Sequence, residues 1–313
     1  MKTNAIVFRE PEKLRVEDID LTVPTGDEIV VETLWSGISS GTERMLLEGT
    51  MPPFPGMGYP LVPGYESVGR VTRSVPQSDI EAGTLVFVPG ARGYVDARGL
   101  FGATASHLIA DASKVVPLPE SLGEQGTLLA LAATAHHALA LAGTKLPDLV
   151  IGHGVLGQLI ARTAIALGGA APTVWEPSAR RREIETGYPV VDGAKDTKTD
   201  YTGIIDASGD PTILDTAIAH MARGGEIVLA GFYRDPLSFT FPAAFMREAR
   251  FRVAAEFDRF DTDAVLALVA DGRLSLDGLI SHRANPQDAK DAYDTAFNDP
   301  DCLKMILDWR TCS

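Results

Sequence analysis

Apolar residues in the first 121 positions come in short runs cut by glycine and proline. The runs at 5–8, 28–34, 67–73, 84–88 and 107–110 read as strands of a small, loop-rich β domain. The opening MKTNAIVFREPEKLRVEDID spreads charges among its apolar residues, which predicts a first strand and not a secretory signal. At 51–66, MPPFPGMGYPLVPGYE carries five prolines and three glycines, too many for a central strand or a helix. It reads as a long, stiff loop, and such loops are commonly functional.

Past Pro119 the texture changes to alternating strands and helices. An apolar run at 149–151 precedes Leu156, Leu159, Ile160, Ala164 and Leu167 at helical spacing, stopped by Gly168 and Gly169. Residues 173–175, 203–206 and 227–230 read as further strands. Asp210-Pro211 reads as the cap and first turn of a helix that Gly224-Gly225 ends. A helix from about Thr262 to Gly272, a strand near 279–282 and a helix opened by Asn285-Pro286 follow. This alternation implies a doubly wound parallel sheet, hence an α/β protein. The expected domains are a β-rich one from 1–121 and 278–313 and a parallel-sheet one from 122–277.

The 313 residues suit two domains at about 100–200 residues each. With 45% hydrophobic and 22% charged residues, both can hold a core. The net charge of −14 argues against a nucleic-acid partner, which needs a basic face. The apolar stretch 128–141 contains His136 and His137 and falls short of the ~20 residues that span a bilayer, so no transmembrane segment is expected. The two cysteines, Cys302 and Cys312, allow neither a disulfide framework nor a four-cysteine zinc lobe. A reducing, cytoplasmic location follows as an expectation.

Gly152-His153-Gly154-Val155-Leu156-Gly157 lies directly after a predicted strand and opens a helix. In that context G-x-G-x-x-G is a dinucleotide fingerprint. The first glycine makes the turn, the second admits a pyrophosphate, and the third lets helix and strand pack closely. Glu176, about 20 residues on at the end of the next strand, is placed to accept the adenosine ribose hydroxyls and repel a 2′-phosphate, selecting NAD over NADP. Arg180, Arg181 and Arg182 are the contrary feature, able to hold that phosphate. Ser208 and Gly209 follow a strand at the edge where open sheets bind ligands.

A β domain, a dinucleotide domain and a tail that returns to the first resemble the medium-chain dehydrogenase/reductase superfamily, over nearly the whole chain. The resemblance implies a GroES-like catalytic domain joined to a Rossmann domain. Its zinc-dependent members carry Gly-Ile-Cys-Gly-Thr-Asp, Pro-Gly-His-Glu and a third thiolate on the first long helix. This chain has Gly37-Ile38-Ser39-Ser40-Gly41-Thr42-Glu43, Pro63-Gly64-Tyr65-Glu66 and Ala130 instead. Only Glu66 and Glu43 remain as donors, so no metal is expected. The segments SGISSGTE and GTMPPFPGMGYPLVPGYESVGRV more narrowly resemble a branch that oxidises the 3-(1-hydroxyethyl) group of a chlorophyllide or bacteriochlorophyllide to acetyl with NAD.

Without a metal to acidify the alcohol, a side chain must take its proton. Tyr65, at the position of a lost ligand, is the first candidate, as acceptor or as a group that orients the alcohol. Ser39, Ser40 and Thr42 are candidates for a relay, and Glu66 for the base or for orienting Tyr65. Phe54, Met57, Tyr59, Tyr94 and Phe101 are candidate walls for a planar macrocycle, with packing of the domain's own core as the other reading. Arg92 or Arg98 is a candidate for a substrate propionate. At most one of His136 and His137 is expected to face the cleft, and His153 is expected beside the cofactor. His107 and His220 are read as structural. Two other functions stay open: a zinc-independent quinone or enoyl reductase, and a catalytically silent, nucleotide-responsive binding protein. A homodimer joined through an edge strand at 251–257, and hand-over of substrate from other pathway enzymes, are further expectations.

Overall fold

A computed structural model describes residues 1–53, 55–76, 78–141 and 145–311. The chain forms two compact units, Met1–Ala130 with Asp277–Ser313, and Leu131–Leu276.

The first unit is built on the long strand Glu28–Ile38, which pairs antiparallel with Ser67–Arg73, His107–Asp111 and Met305–Asp308. Strand Lys2–Glu10 pairs with Lys13–Asp20 and feeds two cores through the alternation of a pleated strand. Ala5 and Val7 join Ile29, Val31, Val86 and Leu108, whereas Ile6 and Phe8 join Ile38, Leu46, Leu61 and Tyr293. The C-terminal segment belongs here because Met305–Asp308 extends the sheet and helix Ala289–Asn298 sets Tyr293 edge-on to Phe8, with centroids 5.6 Å apart.

Three local differences from the sequence expectation have plain causes. Strand Lys13–Asp20 was hidden because alternating charges leave it exposed or half-buried at every position but Ile19. The proline-rich loop contains a short buried strand, Leu61–Val62, at the one proline-free dipeptide between Pro60 and Pro63. The turn-rich helix Glu120–Leu128 sits in the first unit: a Cβ on Gly126 would lie 2.6 Å from Leu118 and 2.9 Å from Val68. The first compact unit accordingly runs on to Ala130.

Among the described residues, the second unit has one six-stranded sheet. Its order is Val190–Val191, Thr173–Trp175, Leu149–Ile151, Tyr201–Asp206, Met221–Leu229, Arg250–Val253. Every pairing is parallel. Strand order reverses between Leu149–Ile151 and Tyr201–Asp206, the switch point where doubly wound sheets bind ligands outside the strand C-termini. Helix Val155–Ala166 links the strands Leu149–Ile151 and Thr173–Trp175, and helix Arg259–Ala270 follows the last strand, opened by a reciprocal Asp258/Asp261 capping box.

Gly224 and Gly225 do not end a helix. That helix, Leu214–His220, stops four residues earlier, and both glycines lie inside Met221–Leu229. Gly224, at φ +73°, lies where the register against Tyr201–Asp206 slips. Strand Arg250–Val253 is shorter than the apolar run 251–257 suggested and forms the outer edge of the sheet.

Candidate active site

Gly152 leaves its strand at φ +99°, a conformation that favours glycine, and a Cβ there would press within 3.1 Å of the Ala207–Ser208 backbone. Gly157 is tighter: its Cβ would fall 1.9 Å from the Gly152 carbonyl oxygen. A Cβ on Gly154 would meet nothing within 4 Å, so the middle of the turn stays open. Helix Val155–Ala166 begins at Gly154 without a side-chain cap, leaving its first N–H groups for an anionic ligand. Val155 and Leu156 supply that first turn. A dinucleotide pyrophosphate fits this cradle.

Glu176 is buried just beyond strand Thr173–Trp175. Its carboxylate accepts from the Ser178 N–H at 2.8 Å and the His153 N–H at 3.3 Å, which fixes it beside the glycine turn. Arg182 turns away, donating to the Glu176 and Pro177 carbonyls at 2.8 and 2.6 Å. The His153 ring is fully buried between the Arg181 carbonyl and the Tyr188 hydroxyl, and burial lowers its pKa. It braces the turn as a neutral ring. Ser208 is fixed by Asp206, to which its hydroxyl and N–H donate at 2.7 and 2.9 Å, while Gly209 turns the chain at φ +70°.

In the first unit, two loops and a helix gather hydroxyl groups. Gly64, at φ +94°, is pressed so closely on Thr104 that a Cβ would overlap its hydroxyl, and the turn carries Tyr65 and Glu66 with it. The Tyr65 hydroxyl lies 2.7 Å from Ser39 Oγ, with Thr42 close by. The Phe101 ring meets Tyr65 edge-on at 5.4 Å. Ser40 is exposed and takes no part in this contact. Burial, with the charges of Glu66 and Glu43, pushes the Tyr65 phenol well up from its ordinary value. The phenol therefore keeps its proton, so a standing tyrosinate is not available as a base.

Glu66 is fully buried in contact with the ammonium of Lys304, itself only 3% exposed. Glu43, the second residue of helix Thr42–Glu48, is also fully buried. It accepts from the Ser39 N–H at 3.0 Å and the Tyr293 hydroxyl at 2.5 Å, and burial lifts its carboxyl to about 7. Sequence reasoning missed Lys304 and Tyr293 because more than 200 residues separate them from the motif they complete. Glu43 was visible within SGISSGTE, but only as a possible metal donor.

This donor set does not suit zinc. Hydroxyls stand where thiolates are needed, Ala130 offers nothing, Tyr65 holds its proton, and Glu66 already faces a cation. Among the described residues, no group of three His, Cys, Asp or Glu side chains is arranged to hold a metal.

Other expected site residues fall elsewhere. Tyr94 is buried in the first core, its hydroxyl donating to the Gly102 carbonyl at 2.5 Å, so it is core and not a substrate wall. Tyr59 is tied to the Leu46 carbonyl; it and Met57 pack on the second core alongside Phe101. Arg92 is committed to Glu28 at 2.7 Å, whereas Arg98 lies across Gly58 and reaches the Met57 carbonyl at 3.4 Å. Phe54 lies outside the described residues. His136 and His137 share one partner: both Nδ1 atoms engage Asp261, at 2.6 and 2.9 Å. A wide carboxylate reaches two ring nitrogens that helical spacing alone keeps apart. His220 bonds the Lys198 carbonyl, and His107 lies in a sheet strand.

A β-rich unit carrying a buried hydroxyl cluster, with a parallel doubly wound sheet carrying a glycine cradle, defines a medium-chain dehydrogenase/reductase, an oxidoreductase using a nicotinamide nucleotide. The chain is 52% identical to 2-desacetyl-2-hydroxyethyl bacteriochlorophyllide A dehydrogenase of Cereibacter sphaeroides, over 99% of each chain. It is 50% identical to the protein of the same name from Rhodobacter capsulatus, again over 99% of each. No family model matches. An NADH complex of a short chain alcohol dehydrogenase from Escherichia coli CFT073 shares the fold with a TM-score of 0.85 at 19% identity, covering 98% of this chain and 99% of the other. A Sinorhizobium meliloti dehydrogenase bound to NADP has a TM-score of 0.81 at 19% identity, with the same coverage. The chain belongs to the family of 2-desacetyl-2-hydroxyethyl bacteriochlorophyllide A dehydrogenases.

Proposed function

We propose that the protein oxidises the hydroxyethyl side chain of a bacteriochlorophyllide or chlorophyllide to acetyl, with NAD as acceptor and without zinc. The observation that carries this is 52% identity over 99% of the chain to a protein bearing that activity in its name. A nicotinamide nucleotide held at the Gly152–Gly157 turn would supply the hydride acceptor for the carbinol carbon, and the hydroxyl proton would pass to the protein and then to water. Two electrons and one proton leave as hydride and a second proton leaves separately, which balances alcohol to ketone.

Ser39, Tyr65 and Thr42 are the groups we assign to the substrate hydroxyl. Ser39 and Tyr65 both donate and accept, so together they can pass a proton without either becoming charged for long. The carbinol carbon is attached to a macrocyclic π-system that spreads positive charge as hydride leaves, so positioning supplies much of the acceleration. Phe101 and Met57 are the walls we retain for the macrocycle, and Arg98 is preferred over Arg92 for a propionate because Arg92 already has Glu28. NAD is preferred because Glu176 is fixed beside the turn and Arg182 is spent on backbone carbonyls.

The Tyr65→Phe variant tests the assignment. It should lower kcat at least tenfold while NADH affinity stays within twofold; unchanged kcat would remove Tyr65 from the chemistry. NADP should bind at least tenfold more weakly than NAD, and equal affinities would overturn the role given to Glu176.

A second copy of this chain is the partner we assign to the sheet edge. Val253 and, on helix Phe241–Arg247, Phe241, Phe245 and Met246 are each at least 65% exposed there. Light scattering should give twice the chain mass, and Val253→Asp should return it to one.

A further inference from the structure

Glu43 is a buried carboxyl that the chemistry above does not use, yet it touches the residue that the chemistry needs. Its Oε1 accepts the Ser39 N–H at 3.0 Å, and the same Ser39 presents its Oγ to the Tyr65 hydroxyl at 2.7 Å. Its Oε2 accepts the Tyr293 hydroxyl at 2.5 Å, from helix Ala289–Asn298. Both oxygens are therefore acceptors, an arrangement complete only while the carboxyl is ionised.

We propose that Glu43 is a positioning residue whose charge state sets the working pH of the oxidation, by holding or releasing Ser39 against Tyr65. This rests on the function proposed above.

The groups facing Glu43 make its proton mobile near neutrality. Full burial opposes charge, and the nearby Glu66 carboxylate adds to that. Tyr293, the Ser39 N–H and the Lys304 ammonium oppose them, leaving the carboxyl at about 7. Tyr65, the remaining titratable neighbour, has its phenol pushed well up and stays neutral throughout. Among the described residues, Glu43, Glu66 and Lys304 are two carboxylates and one ammonium with little water. Lys304 contacts Glu66 directly, which leaves Glu43 the member without a cationic contact.

Protonation changes the local hydrogen bonding in a defined way. A backbone N–H cannot accept, so a proton on Glu43 must be donated toward Tyr293, whose own hydroxyl then turns to another acceptor. Thr104, buried in the same cluster with its hydroxyl lacking a hydrogen-bond partner, can take it. A neutral carboxyl also accepts more weakly than a carboxylate, so the Ser39 N–H loses a charge-assisted bond. Ser39 is then held less firmly and the Ser39–Tyr65 contact loosens. Oxidation should accordingly be slow below about pH 7 and rise above it, as Glu43 ionises.

Glu43→Gln is the matching variant. An amide keeps the shape, still accepts the Ser39 N–H and still meets Tyr293, but it cannot ionise. Two measurements on the full-length NAD-loaded protein decide the matter. Infrared difference spectra across pH 5–9 should show one protonated-carboxyl stretch disappearing near pH 7 in wild type and absent in Glu43→Gln. The pH profile of kcat with a hydroxyethyl bacteriochlorophyllide should rise through the same pH in wild type. In Glu43→Gln that step should vanish, with kcat at pH 8 reduced about tenfold and KM for NAD unchanged. An infrared step absent from wild type, or a kcat step that survives in Glu43→Gln, overturns the role of Glu43 and leaves the proposed function standing. No oxidation by wild type, with the infrared step present, overturns the proposed function and Glu43's part in it together.

Discussion

Replacing Lys304 by Met leaves the aliphatic stem in place and removes only the ammonium, so it isolates the buried Glu66–Lys304 pair. Glu66 is fully buried and Lys304 3% exposed, so water screens neither. Left unpaired, the carboxylate must stay charged in a dry site or take up a proton. Removing one partner of a buried pair costs roughly 3–5 kcal/mol. It is a large share of a typical stability of about 5–15 kcal/mol. Adding Glu66→Gln removes the stranded charge in the same shape, so the double variant should lie within about 1–2 kcal/mol of wild type. Urea unfolding followed by tryptophan fluorescence measures this, since Trp35 and Trp309 lie in the same unit as the pair. A Lys304→Met cost under about 1 kcal/mol, typical of a surface pair, would refute the reasoning.

Other outcomes follow from the same geometry. Glu43 is lifted from 4.5 to about 7 on folding, so its protonated form supplies stability that is complete below pH 4.5 and lost as pH rises to 7. At ~1.36 kcal/mol per unit this is about 3.4 kcal/mol. The stability of Glu43→Gln relative to wild type should therefore grow by about 3 kcal/mol between pH 4.5 and 7.5; a pH-independent difference would contradict the burial argument. Gly157→Ala places a methyl 1.9 Å from the Gly152 carbonyl, so calorimetry should detect no NADH binding at concentrations that saturate wild type. Retained affinity would mean that the turn is not the cradle.

The second unit was the more legible of the two. Strands 149–151 and 173–175 and the glycine turn are each encoded locally, by an apolar run, a helical period and a positive-φ requirement within a few residues. Glu176 lay at a fixed offset from them. In the first unit the motif residues Ser39, Thr42, Tyr65 and Glu66 were visible, but what controls them was not. Lys304 and Tyr293 arrive from the C-terminal segment through a sheet pairing and a helix that no local pattern ties to residue 43 or 66. Tyr94 misled for a related reason: an aromatic in a glycine-rich loop looks like a binding wall until a buried hydroxyl partner shows it to be core. Gly224 and Gly225 misled because glycine marks a strand irregularity as readily as a helix end.

The most direct test of the account is incubation of the purified protein, pretreated with a chelator, with NAD and 3-hydroxyethyl bacteriochlorophyllide. NADH and the 3-acetyl pigment should form in equal amounts, with no stoichiometric zinc in the active protein. Bound NAD with an unchanged pigment spectrum, or turnover that appears only when zinc is restored, would contradict it.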